Sequence, residues 1–283
     1  MIRKFKLINE KGQEYSLMDI KNNCLLTEPS GLGYSYLTEY EQLETNFITN
    51  LRKLEQGTII GTVNFLYYEN YMSLIGFIES AKKLKFMYVI PYRTETKIYY
   101  RDINIKEITK SEKKTNGIIS ESIEFKCLSL WYEQNEITFK IETYEDEIRY
   151  PYRWNSRYIN YNTREIQFNN KGHVEAPIQV EIEGFVQNPT ISIFVEGEEY
   201  ASIKIPITIN EYEKLLYSSK TGEIYIQKQN TDGTKENLWK KEYINIKNQN
   251  IFKLPIGVSE IRLTADDEVL NAKLMIFPQY KAV

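Results

Sequence analysis

The sequence holds one histidine, His173, and two cysteines, Cys24 and Cys127. Any Ser–His or Cys–His nucleophile would have to use His173, and a zinc site with two histidines cannot be built. His173 ends Asn169-Asn170-Lys171-Gly172-His173, a string of turn formers, and reads as a turn residue. The cysteines lie 103 residues apart with no Cys-x-x-Cys between them. They read as two buried thiols, in a chain whose start has no apolar stretch of secretory type and is expected to be made in a reducing cytosol. The strings Gly-x-Ser-x-Gly, Gly-x-x-x-x-Gly-Lys-Ser/Thr and His-Glu-x-x-His do not occur. Gly31-Leu32-Gly33 opens a dinucleotide-type motif, but Tyr36 takes the place of its third glycine. The proline of Asn188-Pro189-Thr190 blocks that sequon. Paired carboxylates for glycoside cleavage are defined by separation in space. The densest acidic run, Glu142, Glu145, Asp146 and Glu147, reads as a solvated loop. Trp131, Trp154 and Trp239 could stack on sugars, although aromatics at strand positions more often pack cores and interfaces. No catalytic residue, cofactor or metal site is expected.

Composition sets the next bounds. The chain has 283 residues, 42% hydrophobic and 27% charged, with 23 Tyr, 12 Phe and 3 Trp, which is the make-up of a folded protein. Residues 1–130 carry 18 basic and 16 acidic side chains (+2), and the remainder 18 and 23 (−5), for a total of −3. Neither half has the basic excess of a nucleic-acid footprint. Apolar runs such as Phe86 to Pro91 are too short to span a membrane. Neither nucleic acid nor membrane is expected as a partner.

Strands dominate the local pattern. Ile59, Gly61, Val63 and Phe65 alternate with Ile60, Thr62 and Asn64, and Ile119, Ile123, Phe125 and Cys127 share one face of a later segment. One stretch departs from period two. Tyr71, Leu74, Ile75, Ile78 and Ala81 fall three and four apart, which predicts a helix over 69–83 with Asn70 as N-cap and Lys82 and Lys83 at its C-terminus. Leu84 to Pro91 follows as a strand. Ser111 to Gly117, ending in Asn-Gly, predicts a hairpin tip between strands 98–108 and 118–130. The second half shows alternation throughout, from Ile137, Phe139 and Ile141 through Ile244 and Ile246 to Leu274 and Ile276, with Pro206 at a bend or edge. About ten short strands in roughly 120 residues predict a β-sandwich.

Several strings, taken in order, resemble phage distal tail proteins, the baseplate-hub adaptors of long-tailed phages and prophages. They are Pro29-Ser30-Gly31-Leu32-Gly33, Gln56-Gly57-Thr58 to Phe65, Ile98-Tyr99-Tyr100-Arg101-Asp102-Ile103 and Ile123 to Trp131-Tyr132 in the first half. Phe168 to Pro177, Gly184 to Ile191 and Pro255-Ile256-Gly257 continue the series. Leu130 stands where the family commonly has Pro before Trp. The resemblance implies a mainly β chain in two domains. Residues 1–132 would be a β-rich, partly barrel-like ring-forming domain with one α-helix, and 133–283 a galectin-like β-sandwich. It also implies a structural virion protein without enzymatic activity, located at the tail tip. Six copies would form a ring joining the tail tube protein to the tail-associated hub protein, with receptor-binding or accessory baseplate proteins attached. For the ring interface, the hairpin tip Glu112, Lys113, Lys114, Thr115 and Asn116 is the expected contact. A carbohydrate-binding protein is the alternative, although the His-x-Asn-x-Arg string of true galectins is missing. A glycan-cleaving enzyme is the third reading.

Overall fold

A computed structural model of the chain describes residues 3–19, 24–93, 95–111, 117–139, 163–239, 250–266 and 271–283. The chain divides into two compact units, Met1–Glu133 with Gln279–Val283, and Gln134–Pro278. The sequence reading gave all of 133–283 to the second domain, whereas the last five residues group with the first unit because Gln279–Tyr280 pairs there.

The first unit contains β1 (Lys4–Asn9), β2 (Glu14–Ser16), β3 (Met18–Asp19), β4 (Cys24–Ser30), β5 (Tyr36–Leu43), β6 (Asn46–Leu54), β7 (Thr58–Phe65), α1 (Tyr68–Glu79), β8 (Leu84–Pro91), β9 (Thr96–Ile108), β10 (Ile119–Cys127) and β11 (Trp131–Tyr132). Its main sheet runs β2-β1-β8-β9-β10-β7-β4-β3 and does not close into a barrel. Period two works as expected here. β7 and β10 are antiparallel with Ile123 opposite Gly61 and Phe125 opposite Ile59, so one face of both strands enters the core. β8 adds Phe86 and Tyr88, and α1 covers the sheet with Tyr71, Leu74 and Ile78. A ring cluster fills the centre: Phe5 stacks on Tyr88 at 4.9 Å, and Phe86 meets Phe125 at 5.4 Å and Trp131 at 6.1 Å.

The helix differs from expectation at both ends. It starts after Tyr67, whose extended backbone (φ −129°, ψ 152°) makes it the N-cap without a side-chain bond, and Asn70 lies inside the first turn. Burial of Tyr71 and Leu74 fixes the start, and capping chemistry does not. The helix stops at Ser80, and the Lys82 and Lys83 amides donate instead to the Glu10 carboxylate at 3.0 and 3.3 Å.

The second unit contains β12 (Asn135–Phe139), β13 (Thr163–Asn170), β14 (Ile178–Glu183), β15 (Val186–Gln187), β16 (Thr190–Val195), β17 (Glu198–Lys204), β18 (Thr208–Ile209), β19 (Lys214–Lys220), β20 (Glu223–Gln229), β21 (Lys235–Asn237), β22 (Gly257–Thr264) and β23 (Asn271–Ile276). The chain's last strand is β24 (Gln279–Tyr280), in the first unit. A six-stranded sheet, β12-β23-β14-β19-β20-β21, and a four-stranded sheet, β13-β22-β16-β17, share one core. Val180, Ile182, Leu215 and Leu274 come from the first sheet, and Ile191, Ile193, Ile261 and Leu263 from the second. That is a sandwich. Pro206 falls in the connection between β17 and β18, outside both strands. Ile141, Ile244 and Ile246, expected on strands, lie outside the described residues.

Candidate interaction surface

The expected contact residues Glu112, Lys113, Lys114, Thr115 and Asn116 lie outside the described residues. Their flanks are described. β9 and β10 are antiparallel with Ile123 opposite Ile108. The buried Glu121 carboxylate accepts from the Ser111 amide at 2.6 Å, Ser111 Oγ at 3.1 Å and Thr109 Oγ1 at 3.2 Å. Alternation alone passed over Glu121, which is a polar residue on the core face, held there by these donors.

A second hairpin was not anticipated. β5 and β6 pair only with each other, from Tyr36 opposite Leu54 to Leu43 opposite Asn46, with Glu44 and Thr45 as the turn. Leu37, Tyr40, Leu43, Phe47, Ile48, Leu51 and Leu54 are all exposed, Phe47 at 67%. Opposite partners share a face, so Leu37, Leu43, Ile48 and Leu51 lie on one side, and Tyr36, Tyr40, Phe47 and Leu54 on the other. A two-stranded ribbon is marginal alone in water. One that bares apolar side chains on both faces and two unpaired edges has the surface of an interaction element. Its two ends differ in charge. Glu41 and Glu44 lie toward the tip, whereas Arg52 and Lys53, with the one acid Glu55, lie at the root. There the Arg52 guanidinium lies 4.3 Å from the centre of the Tyr36 ring, and Lys281 Nζ donates to Tyr36 Oη at 2.9 Å. That lysine contact holds the phenol below its ordinary pKa.

Beside the root, the strings that carried the sequence resemblance meet. Gln56 Nε2 donates to the Cys127 carbonyl at 3.1 Å, Arg101 Nε to the Ser129 carbonyl at 2.9 Å, and the Asp102 amide to Ser129 Oγ at 2.9 Å. Tyr132 Oη donates to Asp102 at 2.8 Å, and Trp131 Nε1 to the Leu32 carbonyl at 2.8 Å. Gly31, at φ +78°, has the Thr58 carbonyl where a Cβ would stand. These contacts border a pocket of about 540 Å³ lined by Lys53 to Gly57, Arg101 and Cys127 to Leu130. In the second unit Asn170 does similar work. Its amide donates to the Val174, Leu254 and Pro255 carbonyls at 3.1–3.2 Å, tying the Phe168–Pro177 string to Pro255-Ile256-Gly257.

The residues weighed for chemistry fall elsewhere. His173 is exposed, in the bend where the Gly172 amide donates to Asn170 Oδ1. Cys24 and Cys127 are free and buried, and burial pushes the Cys24 thiol up to about 12. Trp131 is a core residue and offers no sugar platform; Trp154 and the 142–147 acids lie outside the described residues. Among the described residues no three His, Cys, Asp or Glu side chains are grouped to hold a metal, and no helix is long and apolar enough to cross a membrane.

Comparison with known proteins finds likenesses to distal tail proteins and to a baseplate chain of phages. Residues 4–128 match the family described as distal tail protein, N-terminal domain. The chain is 30% identical to the distal tail protein of Lactococcus phage SK1 over 149 residues, which is 50% of each chain. It is 28% identical to that of Lactococcus phage p2 over 145 residues, 49% of this chain and 48% of the other. The matched stretch thus spans about half the length of these curated relatives. Among solved structures, a chain of the activated phage P2 baseplate is similar at TM-score 0.66 and 18% identity over 100% of both chains. The SPP1 Dit protein is similar at TM-score 0.56 and 11% identity, over 96% of this chain and 98% of the other. At these identities the likeness is one of fold, and it extends through both units.

Proposed function

We propose that the chain is a structural distal tail protein of a virion, without catalytic activity. Its first unit assembles with five further copies into a ring joining the tail tube protein to the tail-associated hub protein. The second unit, a galectin-like sandwich in this reading, carries receptor-binding or accessory baseplate proteins. The exposed β5–β6 ribbon inside the family-matched stretch carries the proposal, because it is a surface built to be covered. A closed ring needs a head-to-tail interface, and a ribbon with unlike ends suits one. The 112–116 tip is proposed as a second ring contact. The similar chains support the virion setting: one belongs to a baseplate, and the SPP1 protein is described as a hub of the adsorption apparatus in phages of Gram-positive hosts.

Native mass spectrometry and negative-stain imaging of the full chain test this. Six-copy rings with a central hole are expected, alone or with the tube protein. A chain that stays monomeric at every concentration and forms no ring with its tube protein overturns the reading.

A further inference from the structure

Among the described residues, Arg101 is a buried cation with no counter-charge from its own unit. It is 3% exposed; its Nε donates to Ser129 O, its guanidinium lies 5.4 Å from the Trp131 ring centre, and Nη1 has no protein acceptor among the described residues. The carboxylate lining the same pocket, Glu55, accepts instead from Ser35 Oγ at 2.7 Å. Withdrawing an ion from water without a partner costs several kcal/mol, so a fold that keeps one here implies an anion from outside. The guanidinium lines the pocket beside Lys53 and Ser129. A Cβ at Gly57 would run into it, so glycine lets the backbone lie against the cation. The rim is apolar at Leu54 and Leu128, with the cation Lys53 beside them.

The hairpin tip offers the complement. Glu41 and Glu44 stand beside the exposed Leu43, Phe47 and Ile48, an acid-and-apolar surface facing a cation-and-apolar one. A chain's tip cannot reach its own pocket. Eight residue steps separate Asn46 from Leu54, about 25 Å at the usual rise. We propose that the Arg101 pocket receives a carboxylate from a second copy of this chain, carried on the tip of its β5–β6 hairpin. The contact joins unlike surfaces, tip to root, and therefore repeats around a ring. It rests on the self-assembly reading above and assigns that assembly its charged lock.

The test uses the full chain throughout. Native mass spectrometry over a concentration series gives the assembly midpoint for the parent, for Arg101→Met, and for Glu41→Gln with Glu44→Gln. The tip substitutions are exposed and leave the fold intact, so they hold if Arg101→Met fails to fold. Separately, Glu44→Cys and Lys53→Cys are combined in one chain and oxidised. The parent thiols are buried, and residues 44 and 53 of one hairpin are too far apart to bridge, so a ladder of linked chains reports tip-to-root contact. Expected are the ladder and a midpoint raised about thirtyfold or more by each charge variant. An assembling parent with no ladder, or with a midpoint that neither variant moves, overturns the lock and leaves the ring standing. A parent that neither assembles nor gives a ladder overturns both.

Discussion

Phe86 lies wholly inside the first unit, with the rings of Phe5, Phe125 and Trp131 within 6.1 Å. Phe86→Ala should cost about 3–5 kcal/mol, read by urea denaturation, because the surrounding strands cannot collapse into the space. Tyr15 and Cys24 give a pH signature in the same core. Burial raises Cys24 from 9.0 to about 12 and Tyr15 from 10.0 to about 12. Both are neutral in the fold, so the unfolded chain binds fewer protons between those values and stability falls as pH rises through them. Unfolding followed at pH 8 to 12 should show a loss beginning near pH 9, with a shallower slope in Cys24→Ala. At this scale the sequence announced the buried thiols and the turn histidine. It did not announce Arg101 or Glu121. A charge on the core face looks like a break in alternation until its partners, which are distant in sequence, are known.

At the scale of elements, period two located β7, β10, β14 and β23 because each has one face in a core. It missed β5 and β6 for the same physical reason. The ribbon packs against no core, so its apolar residues sit on both faces and follow no single period. Its turn adds no signal, since Glu44 takes φ +53° where glycine or asparagine would ordinarily mark the place. The helix was visible from its buried stripe, but its ends were not, because tertiary burial outweighed the Asn70 cap. Tyr40→Ser with Phe47→Ser changes one face of the ribbon only. Urea denaturation should move by no more than about 0.5 kcal/mol, while the sixfold mass of the proposed ring is lost. Retention of the full ring in that variant would exclude the aromatic face from assembly.

On the scale of the whole molecule, six of the seven matched strings meet one another: Gly31 with Thr58, Arg101 and Asp102 with Ser129, and Asn170 with Leu254 and Pro255. The fate of the C-terminus was not legible, since the alternating series ends at Ile276 and two residues, Gln279-Tyr280, are too few to show a period of their own. Tyr280 pairs with Trp131, meets the Tyr99 ring edge-on at 5.4 Å and donates to Glu133 at 3.1 Å. Deleting 279–283 should therefore destabilise the first unit by about 1–3 kcal/mol. Hydrogen exchange should locate the loss in β9 and β11.

The pairing of β11 with β24 has one more consequence. The chain leaves the first unit just after one of these strands and re-enters it at the other, so exit and entry points are neighbours in a ladder. Everything between them is, topologically, one long loop whose ends are held together. Any autonomously folding module with adjacent termini can be spliced into such a port without redrawing the sheet that hosts it. A lineage could thus exchange the inserted module wholesale while the host unit stays under separate selection. In the laboratory, the same junction is the place to graft a foreign module onto the first unit.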